Sequence, residues 1–222
     1  MQCARLVLAV LMMAYIPHVV AGRLELNSGN YRDSRLVRIG YMAKPPVTSR
    51  LQGEVDVKGS LPFTFKVNTK EQSATSFFYF LESMRFTPLE ADTWARLMAT
   101  GIIFNPGKNV DLYGLQGKVG LAYFPQQSLR LLAYGHAALL YTEAEDRQAG
   151  VEVRMQGISH SYGLRGGVAY IYSALEIGVE AGWMSLEGDL DVEVDDPNSD
   201  WDVKGSIHAQ GLSYGAYIGL HF

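Results

Sequence analysis

The sequence has almost no cysteine: Cys3 is the only one among 222 residues. We predict that Cys3 leaves with a cleaved secretion signal, so the mature chain has neither a disulfide nor a thiol nucleophile. Removal of that signal leaves 18 basic and 23 acidic residues, which gives a net charge of −5. This balance lacks the basic face that a nucleic-acid partner usually needs, so we expect no nucleic-acid partner.

A long hydrophobic run is also missing. The apolar stretch near the N-terminus, Leu6 to Ile16, has 11 residues, fewer than the roughly 20 that a spanning helix needs. It follows Arg5 and precedes small residues, which is the three-part form of a secretion signal. We therefore expect residues 1–22 to be a cleaved signal peptide and residues 23–222 to form one domain.

Alternation of apolar with small or polar residues runs through the mature chain and indicates β-strands. The clearest case is the end of the chain, where the pattern lasts about 10 residues, the length of a tilted membrane strand. One face is apolar: Leu212, Tyr214, Ala216, Ile218, Leu220 and Phe222. The other face is small or polar: Ser213, Gly215, Tyr217, Gly219 and His221.

Seven further segments are expected to be strands, four with this clear pattern and three less regular ones in the N-terminal half. The regular ones are residues 113–123, 129–141, 161–172 and 175–183, and the others are residues 36–42, 53–67, broken near Pro62, and 76–86. Between them, the sequence predicts short connections alternating with long external loops. The predicted loops are residues 88–108, 143–156 and 187–206. The first of these is too apolar for a simple solvated loop, and a short helix, a strand extension or a membrane-surface flap are the alternatives.

This pattern favours an all-β fold, an antiparallel up-and-down transmembrane β-barrel of about eight strands, over a soluble barrel. Alternation alone does not decide between them, because either face could point inwards. Short turns on one side with long loops on the other, and aromatic residues at strand ends, are typical of outer-membrane barrels. Glycine on the charged face suits the crowded interior of a narrow barrel.

The chain resembles the small outer-membrane β-barrel class, which includes the membrane domain of outer-membrane protein A and its short relatives. The terminal residues Ile218, Leu220 and Phe222 look like the assembly signal of that class, although Tyr217 stands where the signal often has glycine. The resemblance implies an outer-membrane location among membrane lipid and lipopolysaccharide, and contact with the assembly machinery. It implies no shared activity, and we expect a monomer without a cofactor.

Charged residues on the inward faces predict a network inside the barrel. An eight-stranded barrel has room for its own side chains but not for a wide pore, and buried charges need partners. We expect a structural or surface-interaction role with a filled lumen, and the alternative use of these charges is a selective proton or ion path. The predicted network is Arg38, Glu82, Lys118, Arg130, Arg165, Glu176 and Glu180.

The runner-up function is a lipid-modifying enzyme, and a soluble periplasmic ligand-binding barrel comes third. The candidates for catalysis are Ser159, His160 and Ser161, with Glu176 or Glu180 as an orienting acid. Residues adjacent in a strand point to opposite faces, so His160 is poorly placed to activate either serine. We therefore predict that the chain is not an enzyme.

An acidic comb stands between the last two strands, with carboxylates at every second position. Such a row could hold Ca²⁺ through its oxygen atoms, but it lacks the glycine and ligand order of a helix-loop calcium site. A solvated external hairpin is the favoured interpretation. The comb comprises Glu187, Asp189, Asp191, Glu193 and Asp195, followed by Asp196, Asp200 and Asp202.

Overall fold

The computed structural model describes residues 30–58, 63–72, 77–105, 110–148, 151–194 and 199–222. The proposed signal peptide lies outside the described residues. None of the described residues belongs to a helix long and apolar enough to cross a membrane. The ten strands are β1 (Arg35–Ala43), β2 (Thr48–Val57), β3 (Phe63–Gln72), β4 (Phe77–Pro88), β5 (Trp94–Asn105), β6 (Val110–Gln126), β7 (Leu129–Gln148), β8 (Val151–Tyr172), β9 (Leu175–Val194) and β10 (Ser199–His221).

Eight of these strands form a closed antiparallel ring. The order is β1, β4, β5, β6, β7, β8, β9 and β10, and β10 pairs back with β1. The closing ladder joins Leu36 to His221 and Ala43 to Tyr214. Backbone hydrogen bonds between Arg35 and Phe222 extend it, with N···O distances of 3.0 and 2.9 Å. The predicted eight-stranded up-and-down barrel is therefore confirmed.

The remaining strands, β2 and β3, prolong the first barrel hairpin beyond the ring. The β1–β4 and β2–β3 ladders share one register, so the β2–β3 pair continues the β1–β4 pair. The connection between β1 and β2 contains Pro45 and Pro46, and proline cannot donate a hydrogen bond to a ladder. Opposite them, Gly211 has φ of +149°, and a Cβ there would lie 3.4 Å from Cγ of Pro45. This bulge shifts the β10 register by one residue between β1 and β2.

Three details of the expected strand layout are wrong. Residues 53–67, expected as one strand broken near Pro62, belong to two antiparallel strands, the end of β2 and the start of β3. Residues 88–108 are not an external loop, because β5 runs through them and the turn before it lies at the end with the chain termini. Residues 143–156 and 187–206 are mostly strand, since β7 to β10 continue far past the ring.

These extensions form a curled six-stranded sheet at the end of the barrel opposite the chain termini. It contains the distal parts of β7, β8, β9 and β10 together with β2 and β3. Its inner face is apolar and packed, and its outer face is polar or charged. The buried inner-face residues are Leu51, Val55, Val153, Met155, Leu190 and Ile207. We call this part the distal sheet.

Around the ring, the outward face is apolar and exposed, as the alternation predicts. Leu164 and Leu212 expose 71% and 79% of their surface, although either side chain would be buried in the core of a soluble protein. Aromatic side chains mark both ends of this apolar band, as interfacial girdles do. Girdle residues at the distal end are Tyr41, Tyr79, Tyr162, Trp183 and Tyr214, and those at the other end are Trp94, Tyr170 and Tyr172.

Candidate functional site

The barrel interior is crossed by ion pairs centred on Arg38. Its Nε donates to Oε2 of Glu82 at 2.8 Å, and its Nη1 donates to Oε1 of Glu180. The register places Arg38 directly opposite Glu82 on the adjacent strand, which explains the first pair. The second pair joins β1 to β9 past the intervening strand β10, and Tyr134 donates to the other oxygen of Glu180 at 2.6 Å. The Arg38 side chain is fully buried, so this layer leaves it no contact with water.

Glu82 also binds two groups from β6. Lys118 forms an ion pair with its Oε1, and Nε2 of Gln116 donates to the same oxygen at 2.6 Å. The guanidinium carbon of Arg38 lies 4.2 Å from the ring centroid of Tyr217, a cation–π contact. The middle of the lumen is thus filled by side chains that bond to one another.

A second layer lies nearer the chain termini and is centred on Glu176. Its carboxylate accepts from Arg130, from Tyr217 at 2.7 Å, and hydrogen-bonds to Nε2 of His221 at 2.8 Å. The guanidinium carbon of Arg130 lies 4.1 Å from the centroid of the Phe86 ring. Because Arg130 and Glu176 are both fully buried, each is the other's compensating charge.

Arg165 differs from the other interior cations. It donates to Oγ of Ser213 at 2.6 Å and lies 4.0 Å from Sδ of Met184. Within the described part of the chain, no carboxylate forms an ion pair with it.

All seven residues of the expected network lie inside the barrel, and six of them form two bonded layers. The alternation also puts Gln116, Tyr134, Tyr217 and His221 on the inward faces, but only the register reveals their bonds.

Lys44 lies in the connection between β1 and β2, beyond the spanning strands. Its ammonium sits 5.3 Å from the centroid of the Phe78 ring, and its side chain is buried. Burial lowers the pKa of Lys44 to about 8, because desolvation disfavours the charged amine.

The expected catalytic set is not assembled. Ser159 and Ser161 are buried inside the barrel, where Ser159 shares a hydrogen bond of 2.6 Å with Thr142, whereas His160 points outwards. Glu176 and Glu180 are bound to arginines in the two interior layers. On the outer face, the register instead places Glu187 between His160 and His208. Oε1 of Glu187 lies 3.9 Å from Nδ1 of His208.

The terminal residues of the expected assembly signal occupy the final strand. Ile218 and Leu220 face outwards and are exposed, whereas Phe222 is half-buried and joins β10 to β1 through its backbone. Contact of these residues with the assembly machinery stays a prediction.

The acidic comb lies on the outer face of the distal sheet. Four of its members lie within β9, namely Glu187, Asp189, Asp191 and Glu193. Asp195 and Asp196 lie outside the described residues. Among the described residues, no three His, Cys, Asp or Glu side chains come close enough together to hold a metal ion.

No protein-family model and no curated protein matches the chain. Several solved barrels are similar in structure. The attachment invasion locus protein Ail of Yersinia pestis has 12% identity and a TM-score of 0.38 over 86% of this chain and 99% of that chain. Neisserial surface protein A has 14% identity and a TM-score of 0.39 over 85% and 97%. The outer membrane protein OprG from Pseudomonas aeruginosa has 14% identity and a TM-score of 0.43 over 86% and 96%.

The closed ring and the distribution of apolar and charged residues indicate where the barrel resides. A closed ring leaves no unpaired strand edge at membrane depth, which is the condition for crossing lipid with strands. Its exposed band is apolar, is bounded by aromatic girdles, and encloses charged residues in the interior. A soluble periplasmic barrel would require the reverse distribution. The chain is an eight-stranded transmembrane β-barrel of the outer membrane.

Proposed function

We propose that this barrel does not conduct and acts at the cell surface through its distal sheet. The observation that carries the proposal is the division of the strands into a filled ring and a six-stranded sheet beyond it. The chain termini lie at the periplasmic end of such barrels, and the strands continue past the ring only at the opposite end, so the distal sheet faces the cell exterior. A membrane anchor alone would not require strands of 20 to 23 residues, such as β7 to β10.

The side chains in the interior support the proposal that the barrel does not conduct ions. A barrel of eight strands has an interior just wide enough for its own side chains. Arg38, Glu82, Arg130 and Glu176 have fully buried side chains, which supports a lumen closed at the two bonded layers. On this proposal, the charges serve the stability of the barrel rather than an ion path.

The structure of the distal sheet supports the proposal that the protein binds other molecules at the cell surface. Val55 and Val153 on its inner face are fully buried, so the sheet has a packed apolar core and presents a fixed outer face. That outer face is polar and charged, which suits contact with other molecules in water. We propose binding rather than catalysis because the candidate serines and histidine lie on opposite faces of β8.

Conductance tests the filled lumen. We expect purified protein in planar bilayers at neutral pH to leave the current at baseline, because the interior layers leave no continuous water path. The folded state is verified by heat-modifiable gel migration of the same preparation. Stable, repeated conductance steps from heat-modifiable protein would show that the lumen is a pore.

Excision of the β2–β3 hairpin tests the surface role. In the variant, residues 48–72 are replaced by a short glycine-rich turn. The parent protein and the variant are each displayed on a Gram-negative host that lacks other adhesins. We expect at least a tenfold loss of adherence to epithelial monolayers at matched amounts of heat-modifiable protein. The paired variants Glu54→Gln and Lys66→Gln, which keep the hairpin, serve as controls. Equal adherence with and without the hairpin contradicts the proposal.

A further inference from the structure

The interior of the ring holds more positive than negative charge. In the layer around Arg38, the arginine and Lys118 both bind Glu82, and Arg38 also binds Glu180. Arg165 adds a further cation, and no carboxylate among the described residues forms an ion pair with it. With histidine neutral, the buried charges inside the ring are four cations and three carboxylates: Arg38, Lys118, Arg130 and Arg165 against Glu82, Glu176 and Glu180.

The hydrogen bonds of Arg165 do not neutralise its charge. Its Nη2 donates to Oγ of Ser213 at 2.6 Å and lies 4.0 Å from Sδ of Met184, and both acceptors are neutral. The Ser213 hydroxyl in turn donates to the carbonyl oxygen of Gly182, at 3.3 Å. A buried cation without a counter-ion is strongly unfavourable, so an anion beside Arg165 would stabilise the barrel.

Beside Arg165, the interior is less tightly packed than in the two bonded layers. Arg38 and Arg130 expose none of their surface, whereas Arg165 exposes 5% and Lys118 and His136 expose 8% each. These side chains point into the barrel and not towards lipid. The surface that they leave open therefore borders a space at least as large as a water molecule.

Basic side chains from three neighbouring strands line this space. The register places Lys118 of β6 opposite His136 of β7, and His136 opposite Gly163 of β8. Gly163 leaves room for the imidazole, since a Cβ there would lie 2.6 Å from Cε1 of His136. Arg165 follows two residues later on the same face of β8. Nδ1 of His136 is buried without a hydrogen-bond partner among the described residues, so the lining combines two cations with an unpaired imidazole nitrogen.

We propose that this space binds one chloride ion, held by Arg165, Lys118 and His136. The guanidinium presents its donors in a planar fork, so Arg165 can bond to Ser213 and to the ion together. The Lys118 ammonium carries more donors than its pair with Glu82 uses. A neutral imidazole with its proton on Nδ1 supplies one further donor. The proposed function enters only through its closed interior, which keeps a bound ion in place.

The charge excess favours chloride over other occupants of the same space. A water molecule would satisfy Nδ1 of His136 but leave the charge of Arg165 uncompensated. A divalent oxyanion such as sulfate would turn the excess of one positive charge into an excess of one negative charge. A single monovalent ion cancels the excess, and a monatomic one suits the narrow interior of an eight-stranded barrel.

Two substitutions at one position separate a bound ion from a general effect of salt. Ser213→Asp places a carboxylate beside Arg165, where it replaces the ion, and Ser213→Asn adds a similar volume without charge. The full mature chain of each form is refolded into lipid vesicles. The urea midpoint of the heat-modifiable band is measured in sodium chloride and in sodium gluconate at equal ionic strength, because gluconate is too large for the space.

We expect the unfolding equilibrium constant of the parent and of Ser213→Asn to be about tenfold smaller in chloride than in gluconate, once chloride exceeds its Kd about tenfold. For Ser213→Asp we expect the same constant in both salts. An equal response of the parent and Ser213→Asp to chloride, or a parent that does not respond, would overturn the proposal.

Bromide locates the ion without any substitution. In crystals of the parent protein grown from sodium bromide, we expect one anomalous peak in the interior, in contact with Arg165. Crystals without an interior peak would overturn the proposal. Failure of the proposed function is distinguishable, because a conducting lumen gives current steps in planar bilayers, whereas a silent barrel that ignores chloride and bromide refutes the ion site alone.

Discussion

Replacement of Glu176 by Gln is expected to lower the free energy of unfolding by about 3–5 kcal/mol, the cost of leaving a buried cation without its partner. Arg130 is fully buried and its carboxylate partner is Glu176, while Tyr217 and His221 bond to the same carboxylate. The neutral amide removes the compensating charge from all of these contacts. The urea midpoint for loss of the heat-modifiable band in lipid vesicles measures the effect.

Two further variants make this result specific to the buried pair. The double variant R130M/E176L replaces both charges by apolar groups and is expected to be more stable than E176Q, because no unpaired charge remains. Glu54→Gln breaks an exposed ion pair and is expected to cost less than about 1 kcal/mol. If E176Q is no less stable than Glu54→Gln, the interior layer does not stabilise the barrel.

The second large effect on the stability of the barrel is expected from an arginine introduced on its lipid-facing side. Val179 lies in the middle of the exposed apolar band of β9, four residues from the girdle residue Trp183 and four from Leu175, the partner of Tyr172. Val179→Arg is expected to cost about 2–4 kcal/mol in lipid vesicles, because a charge near the bilayer midplane loses its hydration. Unfolding titrations in urea, in vesicles of a lipid that supports reversible folding, measure this cost.

The matched control stands on the neighbouring strand and on the same outer face. Gln156 is exposed in the part of β8 that belongs to the distal sheet, where it pairs with Asp191, twelve residues from Val179 along β9. Gln156→Arg is expected to change the stability by less than about 0.5 kcal/mol, as for ordinary surface substitutions. Similar costs at the two positions would mean that the lipid boundary does not run between them.

The sequence is sufficient to predict the ring because alternation has a physical cause that acts on each strand separately. Lipid on one side and a narrow interior on the other impose period two, and β8, β9 and the end of β10 show it clearly. Within the lipid-facing part of those strands, charges can only point inwards, which is why the alternation alone assigns Arg165, Glu176 and Glu180 correctly to the interior.

Strand β5 cannot be recognised in this way. Leu97 and Ile103 point inwards while Met98 and the partly exposed Ile102 lie on the opposite face, so apolar residues occupy both faces. The break near Pro62 can be predicted from the sequence, but the reversal of chain direction between β2 and β3 cannot. Val55 and Val67 keep the same alternation on the two sides of the break, because both face the core of the distal sheet rather than lipid.

Contacts between strands depend on register, which the sequence does not supply. Arg50, Lys70 and Lys204 are separated by up to 154 positions and come together only because β2 lies between β3 and β10. The same limit applies to catalysis: Ser159 and His160 are neighbours in sequence but lie on opposite faces of β8. Pairing between distant strands decides which side chains can lie close to His160, Arg50, Lys70 and Lys204.

Cysteine labelling of intact cells tests the central claim, that a distal sheet stands outside a closed outer-membrane barrel. The mature chain is expected to lack cysteine, so Lys66→Cys in β3 and Thr93→Cys in the turn before β5 each introduce a single thiol. A membrane-impermeant maleimide is predicted to label Lys66→Cys on intact cells and Thr93→Cys only after the outer membrane is permeabilised. Labelling of Thr93→Cys on intact cells, with Lys66→Cys protected, would contradict the account.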